Sequence, residues 1–128
     1  MQPSKIDLSL LERSLKSFKE ALNPCNLLER DGAIQRFEFT FEISWKTLAK
    51  VIQADKPLED ISVKGVLREA GRLNLIDDVE KWFEFQLARN RTSHTYDQKV
   101  AEEVFKVASQ LPPYVEELLK RLKTQLAK

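Results

Sequence analysis

Asp31-Gly32-Ala33-Ile34-Gln35-Arg36-Phe37-Glu38-Phe39-Thr40-Phe41-Glu42-Ile43-Ser44-Trp45-Lys46-Thr47-Leu48, continuing to Ala54, decides the fold of this chain. Ile34, Phe37, Phe41, Trp45, Leu48 and Ile52 recur at helical spacing, which places them on one face of a long helix. Asp31 is the expected start, with Gly32 in the first turn. Phe39 and Ile43 point to the opposite side. A helix that is apolar on two faces is either central to its bundle or in contact with a second molecule. A central helix is hard to arrange in a small bundle, so the sequence favours a subunit interface through Phe39 and Ile43. The alternative is that another helix of the same chain covers them.

The flanking segments are helical too. Upstream, Leu8, Leu11, Leu15, Phe18 and Leu22 form the narrow stripe of a bundle helix over about Ser4 to Leu22. Asn23-Pro24 ends it. Cys25 lies in the connection, with nothing nearby to activate its thiol. Downstream, Lys56-Pro57 breaks the long helix. Ser62 caps a short one, Val63 to about Arg72, with Val66, Leu67 and Ala70 inward. Asn74 suits a left-handed stop. Asp77-Asp78 opens the next helix, and Asp77 with Glu80 has capping-box spacing. Val79, Trp82, Phe83, Gln86 and Leu87 form its expected buried side. Asp97 caps a fifth helix with Val100, Val104, Val107, Ala108 and Leu111 on its apolar face. After Pro112-Pro113 the chain resumes over Tyr114 to Ala127, as a separate helix or a kinked continuation. No alternating run or hairpin dipeptide signals a strand. The expected fold is all-α: an antiparallel helical bundle of about five helices around an up-and-down four-helix core.

Composition narrows the function. At 128 residues, the chain reads as a single domain spanning 1–128. The sequence carries a net charge of +1, which argues against a broad electrostatic footprint for nucleic acid and leaves room for a local site for one or two phosphates. A single cysteine forms no internal disulfide, and with no apolar leader this suggests a cytoplasmic protein. No run reaches the length of a membrane span. One His and one Cys exclude His/Cys metal frameworks; a carboxylate-held Mg²⁺ stays open, but no carboxylate cluster stands out, and the expectation is neither metal nor cofactor.

One short stretch carries chemistry: Arg89-Asn90-Arg91-Thr92-Ser93-His94-Thr95-Tyr96. It contains the only histidine, the side chain whose charge changes near neutral pH. Arginine makes planar, bidentate contacts to phosphate. On the fourth helix Arg89 projects about 20° from Trp82 and about 40° from Phe85, at the border of the apolar face. A border arginine is most often a snorkelling surface residue. His94 lies about 140° from Arg89 on a straight helix, so the two do not meet there. Three readings stand. His94 is buried and hydrogen-bonded on the core side, near Phe83 and Leu87; or the helix ends near Ser93 and His94 swings back toward Arg89; or Arg and His of two subunits combine across a two-fold axis. Tyr96 lies in the junction before Asp97.

Two stretches together, the Arg-x4-His-x-Tyr of Arg89 to Tyr96 and the aromatic helix from Arg30 to Leu48, resemble the HEPN superfamily. Within it they are similar to the nucleotidyltransferase substrate-binding proteins. The resemblance covers nearly the whole chain. It implies a HEPN-like bundle, a homodimer, and a minimal nucleotidyltransferase as partner. Two activities are implied by such proteins. One is a metal-independent ribonuclease toxin, silenced when the partner adds adenylate to the tyrosine. The other is a non-catalytic subunit that binds nucleotide substrate for the nucleotidyltransferase. By the match, Arg89 and His94 take catalytic positions, Tyr96 the modified position, and Arg89, Asn90 and Tyr96 the RNA or nucleotide phosphate site. The chemistry agrees with itself. Histidine moves a proton near its own pKa, and a fixed guanidinium stabilises the charge gained by a phosphorane. One histidine per chain is too few for a separate acid and base, and a symmetric dimer supplies two.

Overall fold

The structure, a computed structural model, describes residues 6–127. Six α-helices run in order: α1 Ser9–Glu20, α2 Leu27–Asp55, α3 Val63–Arg72, α4 Val79–Asn90, α5 Gln98–Ala108 and α6 Pro112–Leu126. A 3-10 turn, Thr92–His94, separates α4 from α5. No strand is present among the described residues, and no helix there is long and apolar enough to cross a membrane. The all-helical bundle expected from the periodicities is the fold observed.

Local chemistry sets most boundaries. The Ser62 hydroxyl accepts the Gly65 N–H, and the Asp97 carboxylate accepts the Lys99 N–H. Asn74 takes a left-handed φ of 61° at the end of α3. Pro112 stands at the start of α6, where its missing N–H costs nothing, so α6 is a separate helix. Three boundaries differ from expectation. Leu8, within the stretch assigned to the first helix, precedes α1, and the Asp7 carboxylate accepts the Ser9 N–H; Ser4 lies outside the described residues. Helix α2 begins a turn before Asp31, because Asn26 caps it by accepting the Glu29 N–H at 2.8 Å. Asp78, not Asp77, caps α4, with φ 50° and its carboxylate on the Lys81 N–H. Asp77 instead pairs with Arg121 of α6.

Helix α2 is central, against the expectation for so small a bundle. It packs on α1, α3, α4 and α5. Its 29 residues span roughly 43 Å, enough for different helices to occupy different sides and levels. Its polar side is buried by self-satisfaction. Ser44 and Thr47 donate to the carbonyls of Thr40 and Ile43, each at 2.7 Å, and Thr40 meets Ser14 of α1 at 2.7 Å. Small hydroxyl residues bonded this way let two helix backbones approach without an orphaned polar group. A row of rings then crosses the core. Phe18, Phe37, Phe41, Trp82, Phe85 and Tyr114 are linked by centroid separations of 5.2 to 6.4 Å. This row ties α1, α2, α4 and α6 together, each pair adding about 0.5–1.5 kcal/mol beyond its buried area.

Helix α4 is rotated from the expected face. Trp82, Phe85 and Ala88 are buried, while Leu87 is 64% exposed and Phe83 is half-buried beneath Lys64 and Arg68. The helix is apolar on several sides, so periodicity alone does not choose among them. The stacking of Phe85 on Trp82 and Tyr114 chooses. The rotation matters for function, because it turns Arg89 toward α2.

Candidate functional site

Helix α4 ends at Asn90, and this break shapes the candidate site. The Thr92 hydroxyl folds back onto the Arg89 carbonyl at 2.8 Å. The His94 N–H donates to the Arg91 carbonyl at 3.0 Å, and the Asp97 N–H to the His94 carbonyl at 3.2 Å. The turn thus carries His94 away from the path of a straight helix. His94 is exposed, so the buried, hydrogen-bonded alternative does not hold. The core side assigned to it near Leu87 is itself open to solvent. Tyr96 is 81% exposed, and its ring sits edge-on to the His94 imidazole at 6.2 Å between centroids. A junction tyrosine usually packs its ring and bonds its hydroxyl. This one packs only edge-on to His94 and makes no side-chain hydrogen bond among the described residues, which leaves its oxygen accessible.

Arg89 is brought elsewhere. Its Nε donates to Glu42 Oε1 at 2.8 Å, and its Nη2 lies 3.4 Å from Glu38 Oε2. No hydrogen bond joins Arg89 to His94. The structure therefore joins His94 with Tyr96, and Arg89 with two carboxylates of α2, on either side of one turn. Asn90 is exposed at the end of α4. Arg91 is bound to Glu103 of α5 at 2.8 Å and serves to hold the turn.

Glu38, Glu42 and Thr92 belong to this site, and the sequence reading assigns them no role. A signal is present. Two glutamates four apart on one helix edge repel unless a cation lies between them. Arg30 is likewise without a role in the sequence reading. It is buried at 7% exposure on α2, and its Nη2 donates to Gln98 Oε1, two residues beyond Tyr96, at 2.6 Å. That bond anchors the start of α5 beneath the exposed turn.

Cavity size does not locate the site. A groove of about 560 Å³ lies between the end of α2 and α3, lined by Lys56, Asp60, Gly65, Arg68 and Arg72. None of residues 89–96 lines it. Its charges are mixed, and Arg72 is already paired with Glu69. Among the described residues, no group of three or more His, Cys, Asp or Glu side chains could hold a metal ion.

An all-helical bundle with Arg-x4-His-x-Tyr at the end of its fourth helix, the tyrosine and histidine open to solvent, defines a HEPN-type domain. The chain belongs to the family described as nucleotidyltransferase substrate binding protein like, whose model matches residues 6–124. Two solved structures share the fold. A protein of Thermus thermophilus is 34% identical, with a TM-score of 0.80 over 88% of this chain and 98% of that one. A protein of Haemophilus influenzae, described as revealing the fold of a substrate binding domain of a nucleotidyltransferase, is 32% identical, with a TM-score of 0.81 over 91% and 99%. A further relative from Haemophilus influenzae, "Probable ribonuclease HepT", is 46% identical over 78 residues, or 58% of this chain. That match spans 53% of the relative's own length.

Proposed function

We propose that this protein is the HEPN subunit of a two-component module with a minimal nucleotidyltransferase, and that it is a metal-independent ribonuclease toxin of the cytoplasm. The observation that carries this reading is the turn after Asn90. It leaves the only histidine and a neighbouring tyrosine exposed together, one turn from an ordered arginine. The similarity to a protein named as a ribonuclease supports it.

In this reading the RNA 2′-hydroxyl attacks the adjacent phosphorus, the bond to the 5′-oxygen breaks, and a 2′,3′-cyclic phosphate forms. His94 takes the 2′-hydroxyl proton, and His94 of the partner subunit protonates the leaving 5′-oxygen. Arg89 stabilises the charge on the phosphorane, and Asn90 contacts a flanking phosphate. The pairing of subunits is centred on Phe39, which is 52% exposed on α2, with Ile43 at its margin. Ile43 is half-buried against the core of its own chain and adds less. Silencing follows from adenylylation of Tyr96: the added phosphate reaches across the turn toward Arg89 and the adenosine covers the exposed His94.

A second reading is a nucleotide-binding subunit without catalysis. Its support is the description of the Haemophilus influenzae structure, and an Arg89 already paired with two carboxylates. Incubation with single-stranded RNA in EDTA separates the two. Cleavage by wild type that is lost in Arg89→Ala and His94→Ala, both folded, is the expected result. A wild type that binds RNA or nucleotide and never cleaves leaves the binding subunit as the function.

A further inference from the structure

One edge of the Arg89 guanidinium is committed before any RNA arrives. Its Nε–H donates to Glu42 Oε1 at 2.8 Å, and its Nη2 lies 3.4 Å from Glu38 Oε2 as an ion pair; Nε and Nη2 form the side-on edge of the planar fork. Both carboxylates stand on α2, one turn apart, and the guanidinium between them relieves a repulsion that would otherwise weaken the helix. Each is held in turn. Glu42 Oε2 accepts the Trp45 indole N–H at 3.3 Å and lies 3.7 Å from Lys46 Nζ. Glu38 Oε2 lies 3.3 Å from the Thr92 hydroxyl, whose proton is shared with the Arg89 carbonyl at 2.8 Å. The same threonine thus ties the Arg89 backbone and a carboxylate that grips its side chain.

A guanidinium offers five N–H groups in one plane. With the Nε–H bonded to Glu42 and the Nη2–H beside it facing Glu38 in an ion pair, two on Nη1 and one on Nη2 point the other way. They form the end-on edge, which still makes a bidentate contact to phosphate oxygens. We infer that Glu38 and Glu42 are positioning residues: they grip the side-on edge of Arg89 and so fix its end-on edge as the phosphate-binding edge. This rests on the phosphate role of Arg89 proposed above. Arginine loses considerable rotamer freedom when ordered, and here that loss is met in folding. A donor fixed in advance favours the charge that develops at phosphorus, and needs no rearrangement as it forms. Two carboxylates around one cation also leave the site without net positive charge, so long-range attraction is not what Arg89 supplies.

The test uses the whole protein and two readouts. The first is the Arg89 Nε–H resonance, assigned by its loss in Arg89→Lys, with and without a 2′-deoxy analogue of the RNA that resists cleavage. In wild type and Glu42→Gln, whose amide oxygen still accepts, the resonance is expected to stay protected and to remain so when the analogue binds. In Glu42→Leu it is expected to vanish. A resonance that leaves its carboxylate-bonded position on binding overturns the inference, because phosphate would then have displaced Glu42. The second readout is steady-state cleavage. Glu42→Leu should lose about tenfold or more in kcat with KM little changed, the pattern of an interaction made in the transition state, and Glu42→Gln should restore most of it. Unchanged kcat, or a loss confined to KM, also overturns it. Should Glu42→Leu fail to fold, Glu38→Leu and Glu38→Gln repeat the comparison through the Nη2 contact. A wild type without cleavage removes the ribonuclease reading, while the resonance still decides the grip.

Discussion

Replacing Gln98 with alanine should destabilise this protein through Arg30, a residue it meets across 68 positions of sequence. The Arg30 guanidinium is buried, and its Nε has no partner. Its Nη2 has two: Gln98 Oε1 at 2.6 Å, and Asp31 Oδ1 at 3.4 Å, the outer limit of a useful bond. Gln98→Ala removes the good acceptor from a buried cation. Hydrogen bonds to charged groups contribute about 1.5–3 kcal/mol. Gln98 itself is exposed, so water partly replaces it, and the low end applies: about 1.5 kcal/mol. With an unfolding entropy of about 2.1 cal/mol/K per residue, that lowers Tm by about 5–6 °C. Arg30→Met removes the charge and the orphaned Nε together, and buried ionic groups replaced by apolar ones of similar size cost little. In the Arg30→Met background, Gln98→Ala should therefore cost under about 0.5 kcal/mol. Thermal and urea denaturation of the four proteins measure the cycle. A Gln98→Ala cost that is zero, or that is the same in both backgrounds, refutes the argument.

Three further outcomes are expected. Phe39→Glu should shift a wild-type dimer toward monomer in light scattering, with at least about a tenfold rise in Kd, because symmetry places two unpaired carboxylates in one interface; a wild type that is already monomeric at micromolar concentration removes the interface. The partner nucleotidyltransferase with ATP and Mg²⁺ should add adenylate to wild type and not to Tyr96→Phe, read by intact mass, while Tyr96→Phe keeps its ribonuclease activity; equal modification of both chains refutes the acceptor. Asp77→Asn should lower Tm near neutral pH and not in strong acid. The hydrogen bonds from Arg121 hold the Asp77 carboxyl below its ordinary range, so its stabilisation is complete above the unfolded-state value, about 3.9, and is lost as pH falls through the lower folded value. The pair is exposed, so added salt should shrink the difference. A Tm gap that persists unchanged into strong acid refutes this assignment.

The helices and several of their ends were legible because their causes are local. A stripe such as Leu8, Leu11, Leu15 and Phe18 declares its period within four turns, and Ser62, Asp97 and Asn74 act on backbone groups a few residues away. The residues of the 89–96 stretch were legible as a motif for the same reason. The sequence alone therefore determined an all-helical chain with a break before α5. What it left undecided required neighbours. Asn26 and Asp31 are both competent caps, and the added turn of α2 leaves Leu27 and Leu28 exposed and brings only Arg30 into contact, on Gln98 at the start of α5. Helix α4 offered more than one apolar stripe, and only the rings of α2 and α6 selected Trp82, Phe85 and Ala88. The partners of Arg89 lie far upstream, Glu42 by 47 positions and Glu38 by one helical turn more, on a helix whose own pattern gives their acidic edge no assigned neighbour. Packing across the bundle sets such pairs, and a single sequence records only their separate halves.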